Sequence, residues 1–404
     1  MTYPTPPAPR PLPADATTDG LAFHRLVFAR RRSGWWTPLA TGALGVAFYL
    51  VVSLVLGVAL VAFIFVSDPM ADPDVTLDRF LRFDVRDPLS LAVPLVSLAL
   101  MIPCYLFASW IVNGGRIRLI SSVAGRLRWR WMLLCAGAAL AVYLVISALS
   151  FLLPAEDTAG AELVAPAENS AFLASFVVLL LFVPLQSAAE EYVFRGYFMQ
   201  AIGRWLKHPL WAILLPVPVF VLGHGYDPLG QTGVGIFAIA AGWLVWRTGG
   251  LEAAIALHVV NNLVAFGFSL FGLSDVNATD TSVLSLVGSV VMIGAYCAVV
   301  EWLWRKGDGR RTLRLTPAPA VAPPVFAYPP AGYPVAAGVY PGQMPPFSGG
   351  MPPQSPAGAP GDGAVPAAPA VTPPSAAGIP APRWGEYAPG HEPAATSDED
   401  PRRD

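Results

Sequence analysis

Six residues of this chain could do chemistry by their types and spacing: Glu190, Glu191 and Arg195 in one stretch, His224 in a second, His258 and Asn262 in a third. A carboxylate or a neutral imidazole can take a proton from water and return it, and an imidazole or carboxamide can hold a developing oxyanion. All six lie in or beside strongly apolar runs. A charge at the centre of a bilayer costs about 2.5–3.5 kcal/mol on insertion scales, so charges kept there mark a functional site by default.

Helical phase divides the group. At about 100° per residue, Glu191 and Arg195 share one face a turn apart, a spacing suited to a buried ion pair that fixes helix packing. Glu190 points about 140° away from Arg195 and lacks that local partner, which makes it the candidate for catalysis or ligand binding. His258 and Asn262 share a face by the same four-residue rule, while Asn261 lies off to one side. Phe220 and His224 also share a face, with Phe220 read as packing that orients the histidine. With Arg204, Lys207 and Arg247 as markers of one membrane surface, unbroken helices place Glu190 about 21 Å deep, His224 about 25 Å and His258 about 16 Å. Similar depth on three separate spans is what a buried site needs. Pro184, Pro216 and Pro218 invite kinks in this path.

The elements that must carry these residues read as membrane spans. The 404 residues are 54% hydrophobic and only 13% charged, and the net charge of −2 gives no basic field for nucleic acid, so that partner is not expected. About eight apolar runs approach the length that a bilayer demands: 38–66, 88–112, 131–153, 172–200, 210–224, 232–247, 250–271 and 283–304. The expected architecture is an all-α polytopic membrane bundle of about eight helices over 37–304, between disordered segments at 1–36 and 305–404. The tail is rich in Pro, Ala and Gly, with Tyr328, Tyr333 and Tyr340 among prolines, and reads as a solvated segment or a docking site for a protein partner. Arg30, Arg31 and Arg32, the loop with Arg116, Arg118, Arg126, Arg128 and Arg130, and Arg305, Lys306, Arg310 and Arg311 alternate with acidic loops. The acidic loops hold Asp68, Asp72, Asp74, Asp84 and Asp87, then Glu156, Asp157, Glu162 and Glu168. The alternation predicts a multi-pass protein of the cell membrane with both termini cytoplasmic. No cleaved signal peptide is expected, His24, His208 and His391 fall in aqueous segments, and Cys104, Cys135 and Cys297 read as small core residues.

Glu190-Glu191-x-x-x-Arg195, Phe220-x-x-x-His224 and His258-x-x-x-Asn262, in this order and on separate spans, resemble the three motifs of the CPBP intramembrane proteases. That family is also called Abi, type II CAAX prenyl endopeptidase-like or lysostaphin-resistance-protein-A-like. The likeness covers about residues 90–305 and includes Arg247-Thr248-Gly249-Gly250 leading into the third motif. It implies a membrane-embedded peptidase acting on a membrane-anchored or lipidated peptide at the lipid bilayer. By the same resemblance Glu190 is the general base with His224 beside it, and His258 and Asn262 stabilise the oxyanion or position the water. A metal-dependent form stays open: Glu190, His224 and His258 could ligate zinc, with Glu191 then the base. No other cofactor is implied.

Two other classes compete. A non-catalytic scaffold would recruit partners through the Pro-rich tail, and a proton-coupled transporter would use the carboxylates as a relay. A transporter of that kind favours an internal repeat of broken helices, and none is evident. The excess of arginine over lysine, with abundant Ala, Gly and Pro, points to a GC-rich bacterial genome, where prenylated CAAX substrates are not expected.

Overall fold

The computed structural model describes residues 12–70, 72–81, 83–150, 152, 165–274, 281–307 and 309–315. Glu156, Asp157, Glu162 and the expected tail beyond residue 315 lie outside the described residues. The architecture is helical: α1 Thr37–Ser67, α2 Pro73–Leu81, α3 Pro88–Ala99, α4 Met101–Asn113, α5 Trp129–Ser150, α6 Phe172–Glu191, a π-helical stretch Tyr192–Phe198, and α7 Met199–Trp205. After these come α8 Pro209–Leu214, α9 Val217–Leu222, α10 Pro228–Thr248, α11 Glu252–Leu270 and α12 Val283–Arg305. The described strands are two-residue pieces, β1 Leu21–Ala22 and β2 Thr312–Leu313.

Local sequence sets where the helices begin. Asp87, Asp227 and Ser282 accept hydrogen bonds from Leu89, Gly230 and Ser285 backbone amides, and prolines occupy the first turns of α3, α8 and α10. Among the described residues seven helical stretches are long and apolar enough to cross a bilayer: Thr37–Ser67, Pro88–Asn113, Trp129–Leu149, Phe172–Trp205, Pro228–Thr248, Glu252–Leu270 and Val283–Arg305. The chain is a multi-pass membrane protein. The eighth expected run, 210–224, forms only the short pair α8 and α9 over Pro209–Leu222, broken beside Pro216.

The parity of the passes survives that break. Leu21 pairs antiparallel with Leu313 and Ala22 with Thr312, so the segments flanking the first and last spans meet on one face of the bundle. Seven passes cannot bring both ends to one face. Residues 203–207 also sit on this basal face, where Gly203 and Lys207 carbonyls accept from Arg25 and His24. Thr248 returns to the same face, its carbonyl accepting from Arg128. The pair α8–α9 is therefore the outgoing leg that α10 brings back.

The amino-terminal segment differs from the disorder expected for 1–36. Residues 14–29 form two 3-10 helices and β1, and Phe23, Leu26 and His24 are buried. Phe23 and Leu26 supply apolar surface that packs beneath α7, which a composition rich in Pro and Ala conceals. His24 is thus a core group at 2% exposure, against the aqueous position expected of it. Arg30 is also buried and donates to Ser109, Gly114 and Gly115 carbonyls at the end of α4. β2 likewise gives structure to the first residues of the tail.

The core centres on α11, whose residues 252–258 are all buried and which packs on α5, α6 and α10. Its first residue, Glu252, is clamped by Arg128, with Nη2 2.6 Å from Oε2 and the Arg128 amide donating to Oε1 at 2.9 Å. That bond fixes the entry of α11 and hence the register of His258 and Asn262.

Candidate active site

Glu190, Glu191 and Arg195 lie where α6 passes into the π-helical stretch. A π turn inside an α-helix is costly and commonly marks a functional position. The stretch also brings Gly196 so close to Ile120 that an added Cβ would stand 2.8 Å from the Ile120 side chain. The ion pair that the four-residue spacing predicts is present: Arg195 Nη1 donates to Glu191 Oε1 at 2.8 Å, and Nη2 donates to the Ala238 carbonyl at 3.1 Å. The Arg195 guanidinium stacks over the Phe220 ring, 4.5 Å from its centroid.

Glu191 has a second partner that the spacing does not reveal. His258 Nδ1 stands 2.8 Å from the same Oε1 that Arg195 engages. A carboxylate held by a guanidinium is an acceptor, so His258 Nδ1 carries the hydrogen and donates it. In the neutral imidazole Nε2 is then a bare acceptor. That nitrogen stands 3.6 Å from Glu190 Oε2, too far for a direct hydrogen bond. Glu190 Oε2 is buried and has no hydrogen-bond partner among the described residues. The Phe237 ring meets the His258 ring edge-on at 5.1 Å and holds it in this pose.

Asn262 stands on the same side of α11 as His258, facing α6, but its hydrogens are engaged. Its Nδ2 donates to Gln186 Oε1 at 3.2 Å and to Ser187 Oγ at 3.4 Å, while its Oδ1 accepts from Asn261 at 2.9 Å. Gln186 in turn donates to Glu190 Oε1 at 2.6 Å. Glu190 is thus not without a local partner, as phase arithmetic suggests; one of its oxygens is held and the other is not.

His224 does not lie within a long span. It follows α9 in the loop that leads to α10, half-buried, with Nδ1 2.8 Å from the Phe220 carbonyl. A carbonyl only accepts, so Nδ1 donates and Nε2 is the exchangeable nitrogen. Phe220 joins the two histidines, its ring centroid 4.7 Å from that of His224 and 6.2 Å from that of His258. The zinc set Glu190, His224 and His258 is not assembled: among the described residues no three His, Cys, Asp or Glu side chains gather in a way that could hold a metal ion.

Sequence reasoning missed Gln186, Ser187, Phe237 and Tyr143. Gln186 was within reach of the four-residue rule, since it precedes Glu190 by one turn. Tyr143 sits on α5 with no polar neighbour in sequence, yet its hydroxyl donates to Asn261 Oδ1 at 2.7 Å.

Residues 169–264 match the family described as type II CAAX prenyl endopeptidase Rce1-like. The chain carries an Rce1-like domain. It takes in α6, the π-helical stretch and most of α11, and with them every residue of the site except Tyr143. The uncharacterized protein YyaK of Bacillus subtilis (strain 168) is 28% identical over 233 residues, spanning 54% of this chain and 74% of its own. No solved structure matches the chain. The family expected from the three ordered motifs is therefore the one found for the Rce1-like domain.

Proposed function

We propose that this chain is an intramembrane endopeptidase that hydrolyses a peptide bond in a membrane-anchored or lipidated peptide, with Glu190 as the base that activates water. The observation that carries this reading is the buried Glu190 Oε2, without a hydrogen-bond partner among the described residues, facing His258 Nε2 at 3.6 Å. A water placed beside both atoms donates one hydrogen to each, and its lone pair is left for a substrate carbonyl.

Each residue has a role in that step. Arg195 donates to Glu191 and holds its carboxylate in place; Glu191 accepts a hydrogen bond from His258 Nδ1, and this keeps Nε2 bare towards the water. Glu190 accepts the proton as the water attacks and returns it to the leaving amine. His224, with Nδ1 committed to the Phe220 carbonyl, is left with Nε2 as the nitrogen that can meet the substrate. Asn262 acts through Gln186 and not as an oxyanion donor, because both its hydrogens are spent. The arginine-rich basal face is assigned to the cytoplasm, which places both ends of the membrane domain there.

The test compares membrane proteomes of cells carrying the native chain or Glu190→Gln. Accumulation of an uncleaved membrane peptide in the variant supports the reading. Identical proteomes, with the variant present at native abundance, sink it.

A further inference from the structure

We propose that the rim of the bundle where α1, α4 and α7 meet the basal face is a binding surface for an anionic phospholipid. Arg31 and Arg32 hold its headgroup, and α1 and α4 take its acyl chains. The surface is separate from the candidate active site and owes nothing to its chemistry.

The sequence makes the charge of this rim one-sided. Residues 20–67, 88–155 and 192–226, which include α1, α4 and α7, contain no Asp or Glu. The segment before α1 carries Arg30, Arg31 and Arg32, the loop after α4 carries Arg116 and Arg118, and Arg204 and Lys207 lie at the end of α7. Asp15, which reaches this sector from the amino-terminal side, is spent on Arg25 at 2.7 Å. Around α10, α11 and α12, by contrast, carboxylates answer the arginines: Glu301 engages Arg247 and Arg305, and Glu252 engages Arg128. Backbone contacts gather the unmatched cations. The Arg32 amide donates to the Asn113 carbonyl at 3.0 Å, and its Nη2 donates to the Ile111 carbonyl at 2.6 Å. Arg31 lies across Gly114, where an added Cβ would stand 3.3 Å from the Arg31 Cβ. Both side chains are exposed, and Arg31 has no hydrogen-bond or ion-pair partner among the described residues. Burial pushes the neighbouring Arg30 guanidinium down to about 10, and no anion among the described residues offsets that pull.

The apolar side of the same rim selects a lipid as the occupant. Trp35, Trp36, Trp110 and Trp205 are all exposed, and indoles collect where a membrane meets water. Trp205 Nε1 donates to the Trp35 carbonyl at 2.9 Å and so joins the end of α7 to the start of α1. Deeper along the two helices Leu39 and Phe107 face outward. Phe107 stacks on Trp110 with ring centroids 5.8 Å apart and packs on Phe48 of α1 at 5.2 Å, which makes an apolar crease between α1 and α4. A guanidinium fork matches phosphate oxygens in pairs, and a phospholipid carries its phosphate at the level of the indoles with its chains below them. An acidic protein or a free anion would meet the arginines from water and leave the tryptophans and Phe107 uncovered. An anionic phospholipid satisfies both halves of the surface.

The test titrates the full-length protein in detergent micelles with dioleoyl phosphatidylglycerol or dioleoyl phosphatidylcholine and reads bound lipid by native mass spectrometry. Phosphatidylglycerol should bind more tightly than phosphatidylcholine. Its affinity should fall about 25-fold in Arg31→Gln/Arg32→Gln, which is about fivefold for each cation beside an anionic headgroup. Arg305→Gln/Lys306→Gln, in the sector that Glu301 serves, should leave that affinity within about twofold of native. Equal binding of the two lipids, an unchanged affinity in Arg31→Gln/Arg32→Gln, or an equal loss in both double variants overturns the proposal. Displacement of the lipid by millimolar inorganic phosphate also overturns it, since that marks a bare anion site. If Arg31→Gln/Arg32→Gln does not fold, Arg31→Gln alone decides, with an expected loss of about fivefold. None of these readouts requires cleavage, so their failure leaves the peptidase reading untouched.

Discussion

Arg195→Met should destabilise the protein by about 3–5 kcal/mol, and adding Glu191→Gln should restore much of that loss. At the observed 2.8 Å, attraction between the two heads is about 6 kcal/mol for an effective dielectric of about 20. The side chains are only 4% and 0% exposed, so the cost of removing both charges from water offsets most of this attraction. Deleting one partner leaves the desolvation of the other without compensation. In the double variant no charge is stranded, and the carboxamide oxygen introduced by Glu191→Gln still accepts from His258 Nδ1. The carboxamide nitrogen replaces the unpartnered Oε2 of Glu191, which holds the double variant within about 1–3 kcal/mol of native. Adding Glu191→Gln to Arg195→Met should therefore recover about 2 kcal/mol, the mark of a double-mutant effect that is not additive. Reversible unfolding of the four proteins in mixed micelles, followed by circular dichroism, measures it. Simple additivity, or a double variant less stable than Arg195→Met, refutes the view that Glu191 and Arg195 form a scaffold pair. Cleavage in the double variant should stay within about tenfold of native, because the His258 tautomer is retained.

Other outcomes test the basal face and the chemistry. Gly203→Ala places a Cβ against the backbone carbonyl of His24, and overpacking of this kind costs about 1–3 kcal/mol. Amide exchange across residues 21–29 should accelerate in that variant while the spans stay protected. Burial lowers the His24 imidazole below its ordinary value of 6.5, so the unfolded segment takes up a proton before the docked one does. Docking should thus be constant above that pH and weaken as pH falls below it, with the dependence lost in His24→Gln; limited proteolysis of the segment reports both. Chelators should leave cleavage unchanged, since Glu190, His224 and His258 do not assemble as a ligand set. Loss of activity on chelation, restored by zinc, overturns the glutamate-water mechanism.

What could be read from the sequence followed from short-range geometry. The Glu191–Arg195 pair lies within one helical turn, so phase alone predicts it, and the eight apolar runs follow from the length of a bilayer crossing. His258 bonding to Glu191 joins α11 to α6, and nothing local to either helix encodes that contact. Phase arithmetic also assumes an α-helix, whereas residues 192–198 widen into a π-helix. The run at 210–224 has the hydropathy of a span, but Pro216 and Pro218 divide it into pieces too short to be one. Residues 14–29 escaped notice because their apolar stretch, 21–29, is far too short to cross a bilayer and gains its core from α7. Asn261, set aside for its phase, faces Tyr143 because α5 packs on that side of α11.

The pairing of Leu21 with Leu313 has a consequence in time. During synthesis β1 emerges first and has no partner until every span has entered the membrane and residues 312–313 have left the ribosome. Formation of this short ribbon therefore reports that the whole bundle has been threaded in the correct parity. A chain with one pass missing delivers β2 to the opposite side of the membrane, where β1 can never meet it. Such a molecule keeps an unpaired strand and a loosened basal segment, the kind of surface that quality-control proteases recognise.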